Sequence, residues 1–419
     1  MRKNIILLLT AMFLMVASFT CFSYLGLKKE SNKKKLVFWS IQLKPVYEKQ
    51  IKDVIKTFEA NNPEYSVVWV DIPIQEAQKR TLASVLSSTP PDLINLNPDF
   101  SVMLAQKNAL YTFNEEAYSE FHPGLVERLK YKDKVYALPF YVTSPVTVYN
   151  KEIYQKCIGG DFIKTYDELY KISEKIKKCS NSTSFVSSIN ENDVFAKILN
   201  KYDIKNFSDD NEIKNAKNVY SMFNQMYKKN FIPKDILAIN HREAVEKYMA
   251  DKTVVMVAGS NFIKMIKQNA PAVYSKSEIA SQLTGKNGKY DISLMNLVIP
   301  KKSANIEAAI NFAMLLTNKE NQLELSRVTN VLPANKYALQ DERFKKCSED
   351  LIEKSRCISV LQLNNLNNVS FGDLNKNTIN ENINKTLEEI LLTSDNSTDY
   401  IDKKVNELSN QIKALQENK

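Results

Sequence analysis

Histidine occurs only twice in 419 residues, at His122 and His241, and glycine only eight times. The two histidines lie in unrelated contexts without a His-Glu-x-x-His, so a zinc-protease centre is excluded. The glycines form neither Gly-x-Gly-x-x-Gly nor Gly-x-x-x-x-Gly-Lys, and no phosphate-cradling loop is visible. There is no Gly-x-Ser-x-Gly nucleophile elbow either. Cysteine is sparse and never spaced as Cys-x-x-Cys, which removes zinc ribbons and thioredoxin-like redox motifs. The carboxylate pairs Glu115-Glu116 and Asp209-Asp210 are adjacent in sequence and polar all round, and read as solvated surface rather than a glycosidase pair. No cofactor and no metal are implied.

What is present is concentrated at the start. Met1-Arg2-Lys3 is basic, Asn4 to Leu27 carries no charge, and lysines 28, 29 and 33–35 close the segment. That length can span a bilayer, and its layout is also that of an export signal. Residues 1–35 are therefore expected to be a signal sequence or membrane anchor that places the rest outside the cytoplasm. Three fates stay open: cleavage, retention, or lipidation at Cys21, where Phe19 is bulky for a lipoprotein signal. The leader holds seven Lys/Arg and one Glu, so +6 of the formal +9 sits there and only +3 remains for the body. Acidic residues are interleaved with those remaining lysines, so no nucleic-acid partner is expected. Cys157, Cys179, Cys347 and Cys357 permit two disulfides in an exported chain. Local pairing is the simplest connectivity, and four free thiols is the alternative.

The body begins as strand, helix, strand, helix, strand. Leu36–Ser40 reads as a buried parallel strand. Ile51, Val54, Ile55 and Phe58 share one helical face that Asn61-Asn62-Pro63 ends. Tyr65–Val70 and Asp92–Leu96 read as further strands around a helix at 75–87. That alternation predicts a parallel α/β sheet, whose ligands bind beyond the carboxyl ends of the strands. Two extended runs, 135–141 and 145–151, lead into a mostly helical region with helices near 165–178, 212–229 and 240–250. A strand at 254–257 and a return through 292–300 follow. Ile379, Ile383, Leu387, Ile390 and Leu391 keep helical spacing, as do Ile401, Val405, Leu408, Ile412 and Leu415. These predict C-terminal helices packed on the second half of the chain, with a short coiled coil as the alternative.

Several segments together resemble the extracellular solute-binding proteins of ABC importers, family 1, which serve sugars and glycerol-phosphate compounds. They are Phe38-Trp39-Ser40-Ile41-Gln42, Phe58–Pro63, Val68–Pro73, Pro91–Phe100, Tyr136–Phe140, Tyr149-Asn150-Lys151, Val257–Phe262, Leu316–Gln322 and Leu332-Pro333. The resemblance implies an α/β, two-lobe periplasmic-binding-protein type II fold with a hinge and an inter-lobe cleft. Lobe 1 would be 36–142 plus 295–317, and lobe 2 would be 143–294 plus 318–419. Carried over position by position, the ligand-facing residues would be Trp39, Gln42, Asn97, Asp99, Phe100, Phe140 and Tyr141. Gly259, Ser260, Asn261 and Asn330 would join them from lobe 2. Aromatic rings would take the C–H face of a sugar, and the amides and carboxylate its hydroxyls. A core position is the alternative for Trp39.

Departures bear on the ligand. Gly259-Ser260-Asn261 stands where relatives often have Gly-Pro-Trp, and Ile74 where many have Trp. Fewer aromatics argue for a small or polar solute. The function expected is a monomeric receptor, in the periplasm or on the outer face of the membrane, that hands a sugar-like solute to permease transmembrane subunits. The alternatives are a solute sensor or surface protein of the same fold and, further off, a glycosidase-type enzyme.

Overall fold

Strand β1 (Lys34–Ile41) alternates along its length: Leu36, Phe38 and Ser40 are buried, while Val37, Trp39 and Ile41 are half-buried. In this computed structural model, which describes residues 33–329, 331–367, 375–395 and 397–417, β1 pairs in parallel with β2 (Tyr65–Ile72), from Lys34 opposite Tyr65 to Ile41 opposite Ile72. It also pairs in parallel with β3 (Leu93–Leu96), Phe38 opposite Leu93 and Trp39 opposite Ile94. Helix α1 (Lys44–Asn61) joins β1 to β2 and α2 (Ile74–Val85) follows β2. The expected strand–helix alternation is therefore present, with strand and helix ends shifted by at most two residues.

Two compact units emerge. The first is the described part of Met1–Ile94 with Ile299–Leu316. Its core is aromatic: Phe38 and Phe58 both meet Phe312 edge-on, at 5.6 and 5.1 Å between ring centres. Edge-to-face contacts of this kind add to the area the rings remove from water. Asp71, at the end of β2, accepts from the backbone N–H groups of Leu43 and Lys44 at 2.9 and 3.1 Å. It thereby caps α1 from a neighbouring strand, because no side chain of α1's own N-cap does so. A carboxylate at a helix N-terminus also meets the positive end of the dipole.

The second unit is the described part of Asn95–Val298 with Thr317–Lys419. Helix α3 (Pro98–Gln106) opens it. Strand β4 (Leu138–Thr143) passes through Ser144 directly into β5 (Pro145–Asn150). Beyond lie α4 (Tyr166–Ser180), β6 (Thr183–Val186), α5 (Val194–Asn200), α6 (Asp210–Lys228) and α7 (His241–Met249). Next come β7 (Thr253–Gly259), β8 (Ser277–Ser281), β9 (Ser293–Val298) and β10 (Leu332–Pro333). β4 pairs antiparallel with β9 and β10. β5 belongs to a different, four-stranded sheet ordered β8-β5-β7-β6. The β4–β5 run thus leaves one ladder and enters another.

Helices α8 (Leu351–Gln362), α9 (Lys376–Leu392) and α10 (Thr398–Glu417) finish the chain. The periodic residues of α9 and α10 share one hydrophobic cluster with α6, including Ile383, Leu387, Ile401 and Val405. Tyr220 of α6 donates its hydroxyl to the Ile383 carbonyl at 3.1 Å. Among the described residues no helix is long and apolar enough to cross a membrane.

Candidate functional site

The turn after β3 carries three of the expected residues, and it separates them. Asn97 is exposed and uses its side-chain oxygen to accept from Phe100 N at 2.9 Å, the N-cap bond of α3. Phe100 is turned inward and is 7% exposed. Asp99 is half-buried and its carboxylate is engaged: Lys376, the first residue of α9, lies 2.7 Å from its Oδ2. Its Oδ1 is shielded and meets no donor among the described residues. No local signal in the sequence ties Asp99 to a lysine 277 positions away.

The turn is fixed to the β4–β9 ladder by Asn296. Ser101 Oγ donates to Asn296 Oδ1 at 2.7 Å, and Asn95 Nδ2 donates to the Asn296 carbonyl at 3.2 Å. One position earlier, Met295 stands opposite Tyr141. The structure therefore brings the 97–100 turn beside Phe140 and Tyr141. Phe140 is fully enclosed, packed edge-on against Tyr141 at 5.1 Å, and its carbonyl accepts from Gln322 Nε2. Tyr141 is half-buried. Of these two rings only Tyr141 has surface left for a solute.

Gly259 ends β7 opposite Pro145, just past the β4–β5 link. Asn261 folds its side-chain oxygen over Gly259, where a Cβ would overlap it, so glycine admits that close approach. Ser260 is buried and Asn261 exposed. Trp39 and Gln42 belong to the other compact unit. The Arg80 guanidinium of α2 sits over the Trp39 ring at 5.6 Å and pairs with Glu76 at 3.2 Å. Gln42 is exposed, holds a left-handed φ of 50°, and donates its N–H to Ile72 O. Asn330 and Cys21 lie outside the described residues. Cys157 is bonded to Cys179 and Cys347 to Cys357.

One cluster has the residue types of a hydrolase. Ser188 Oγ is 3.0 Å from His241 Nδ1, and the Glu191 carboxylate meets the same nitrogen. A Ser-His-acid triad needs the serine and the acid on opposite ring nitrogens, so that one takes a proton while the other is held. Here both compete for one. Glu191 also accepts from the His241 backbone N–H at 2.9 Å, so the cluster fastens the start of α7. Burial pushes the other imidazole, His122, below its ordinary pKa. Among the described residues no group of three or more His, Cys, Asp or Glu is placed to hold a metal ion.

The geometry so far is a ladder end with one tyrosine face, one carboxylate and several amides, a set suited to binding a polar solute. The sugar-binding protein MalE from Xanthomonas citri has a similar structure, with a TM-score of 0.77 at 17% identity, covering 91% of this chain and 97% of that one. A family 1 extracellular solute-binding protein from Bifidobacterium longum subsp. infantis matches with a TM-score of 0.71 at 17% identity, covering 91% and 100%. The fold is thus the two-lobe α/β fold of type II periplasmic binding proteins. The multiple sugar-binding protein of Streptococcus mutans serotype c is 24% identical over 316 residues, 69% of this chain and 72% of that protein. The family model described as bacterial extracellular solute-binding protein matches residues 53–349. The chain belongs to that family, whose members bind solutes outside the cytoplasm.

Proposed function

We propose that this protein is the solute-binding component of an ABC importer, taking a sugar or related polyhydroxy solute and delivering it to permease transmembrane subunits. The family match across residues 53–349 carries this reading, and the sugar-binding protein of S. mutans supports the solute class. In this reading 36–142 plus 295–317 form lobe 1, and 143–294 plus 318–419 form lobe 2. The solute is gripped between them by hinge closure and released unchanged, with no bond made or broken. Residues 1–35 export the chain and hold or leave it at the outer face of the membrane, where it acts as a monomer.

Tyr141 and Trp39 supply aromatic faces, and Asp99, Gln42, Asn261 and Asn330 read hydroxyls. Asn97 and Phe100 support the turn from behind, and Phe140 supports Tyr141. With so few rings, a short neutral solute fits better than a long oligosaccharide. A receptor of micromolar affinity needs about −8 kcal/mol net, within reach of one or two stacked rings and several hydrogen bonds. A thermal-shift screen of monosaccharides, disaccharides, polyols and glycerol 3-phosphate tests this. At least one neutral member should raise the melting temperature in a saturable way; a flat response to all of them contradicts the reading.

A further inference from the structure

Lys201, just past α5, is 2% exposed although it carries a full charge. Its ammonium reaches Asp291 Oδ2 at 2.9 Å, Gln282 Oε1 at 2.8 Å and the Lys289 carbonyl at 3.3 Å. All three of its donors are thereby matched. Around it, Gln282 donates to the Asp291 carbonyl at 2.9 Å and accepts from Asp291 N at 3.0 Å. Gln282 N donates to Gln362 Oε1 at 2.7 Å, and Gln362 Nε2 donates to Ser144 Oγ at 2.7 Å and the Pro145 carbonyl at 2.9 Å. Ser359 Oγ closes the set on the Ser144 carbonyl at 3.2 Å.

The location gives these bonds their meaning. Ser144 is the link by which β4 becomes β5, and residues 282–292 are the link by which β8 leads to β9. Both links join the β4–β9–β10 ladder to the four-stranded sheet, and both are held by the same buried side chains. Helix α8 contributes Ser359 and Gln362 from outside either sheet. Apolar contacts at such a place would tolerate sliding, because they have no preferred direction. A saturated buried polar network has one good geometry, so it favours one resting angle between the sheets, and closure on a solute must work against these bonds.

A buried ion pair is weak evidence for stability, since its desolvation cost can match its Coulomb gain. We infer that Lys201, Gln282, Asp291 and Gln362 act as positioning residues: they hold the two sheets at one resting angle, the geometry from which closure on a solute begins. The consequence for solute rests on the receptor reading above; the pinned angle does not.

Pulsed electron-electron resonance tests it on the full chain carrying Cys21→Ser, with nitroxides at Lys107→Cys beside the ladder and Lys264→Cys beside the four-stranded sheet. Both positions are exposed. The parent should give one narrow distance peak. Lys201→Met with Asp291→Asn, which removes both charges together, should broaden that peak while keeping the melting temperature within a few degrees. Gln362→Leu leaves the ion pair whole and makes the same measurement should the double variant not fold; it too should broaden the peak. Peaks as narrow as the parent's and at the same distance in these variants overturn the inference. That outcome leaves the receptor reading standing, whereas a flat solute screen removes the receptor and leaves the distance measurement intact.

Discussion

The turn at Asn97–Phe100 and the joint around Ser144 are both tied by polar side chains and one lysine: Asn97, Asp99, Ser101 and Lys376 in the first, Ser144, Lys201, Gln282, Asp291 and Gln362 in the second. They differ in how far apart those residues lie in the chain. In the turn, Asn97 caps a helix three residues on and Phe100 enters the core behind it, so most of its structure is local. In the joint, positions 144, 201, 282, 291, 359 and 362 converge from four segments. The turn is half open and its carboxylate meets a partly exposed lysine; the joint is closed and its charges are paired in the interior. Local polar groups therefore shape a surface that a solute can meet, and long-range polar groups fix the frame that carries it.

The sharpest way to break this comparison is to remove one charge from the joint. Burial opposes protonation of Lys201 and Asp291 favours it. Lys201→Met alone leaves Asp291 buried without its cation, and should cost about 3–5 kcal/mol in urea unfolding. Removing both charges should recover most of that loss. Phe140→Ala is next: the ring is fully enclosed, so truncation should cost about 3–5 kcal/mol. Tyr141→Ala should weaken solute binding with a much smaller change in melting temperature. Equal stability losses in the two variants would mean that Tyr141 is core as well.

Asp99→Asn probes the open side of the comparison. Its ion pair with Lys376 is partly exposed, so stability should fall by less than about 1 kcal/mol. Calorimetry should show solute affinity down by roughly tenfold, as expected when a charged hydrogen-bond acceptor is lost. Unchanged affinity would remove Asp99 from the site and leave Lys376 as a surface fastening. The smallest expected effect is local and pH-dependent. Glu168 accepts from the backbone N–H groups of Lys164 and Thr165 in the capping box of α4, and these bonds hold its carboxyl below its ordinary pKa. A lowered folded value stabilises above the unfolded value of about 4.3 and is lost as pH falls through the folded one. Glu168→Gln should therefore lower the melting temperature slightly at pH 7, with the deficit fading as pH falls below about 4.

Much of the fold was legible because its signals are short-range. Ile51, Val54 and Phe58 mark one face of α1, and Ile383, Leu387 and Ile390 do the same in α9. The site was legible only in outline. Phe140 and Tyr141 look equivalent in a strand, but alternation sends one ring inward and leaves the other half-buried. Asn97, expected at the solute, also caps α3, because a polar residue at a strand end and a helix cap have the same sequence appearance. Lys376, Arg80 and Asn296 could not have been found, since each acts on a residue far away in the chain.

As a receptor, the protein should bind a polyhydroxy solute reversibly and release it intact. Isothermal titration of the full chain with the solute chosen by the thermal screen, followed by mass spectrometry of the recovered solute, tests it directly. One saturable site and a solute of unchanged mass are expected. Either an absence of binding heat or a cleaved product would contradict the receptor reading.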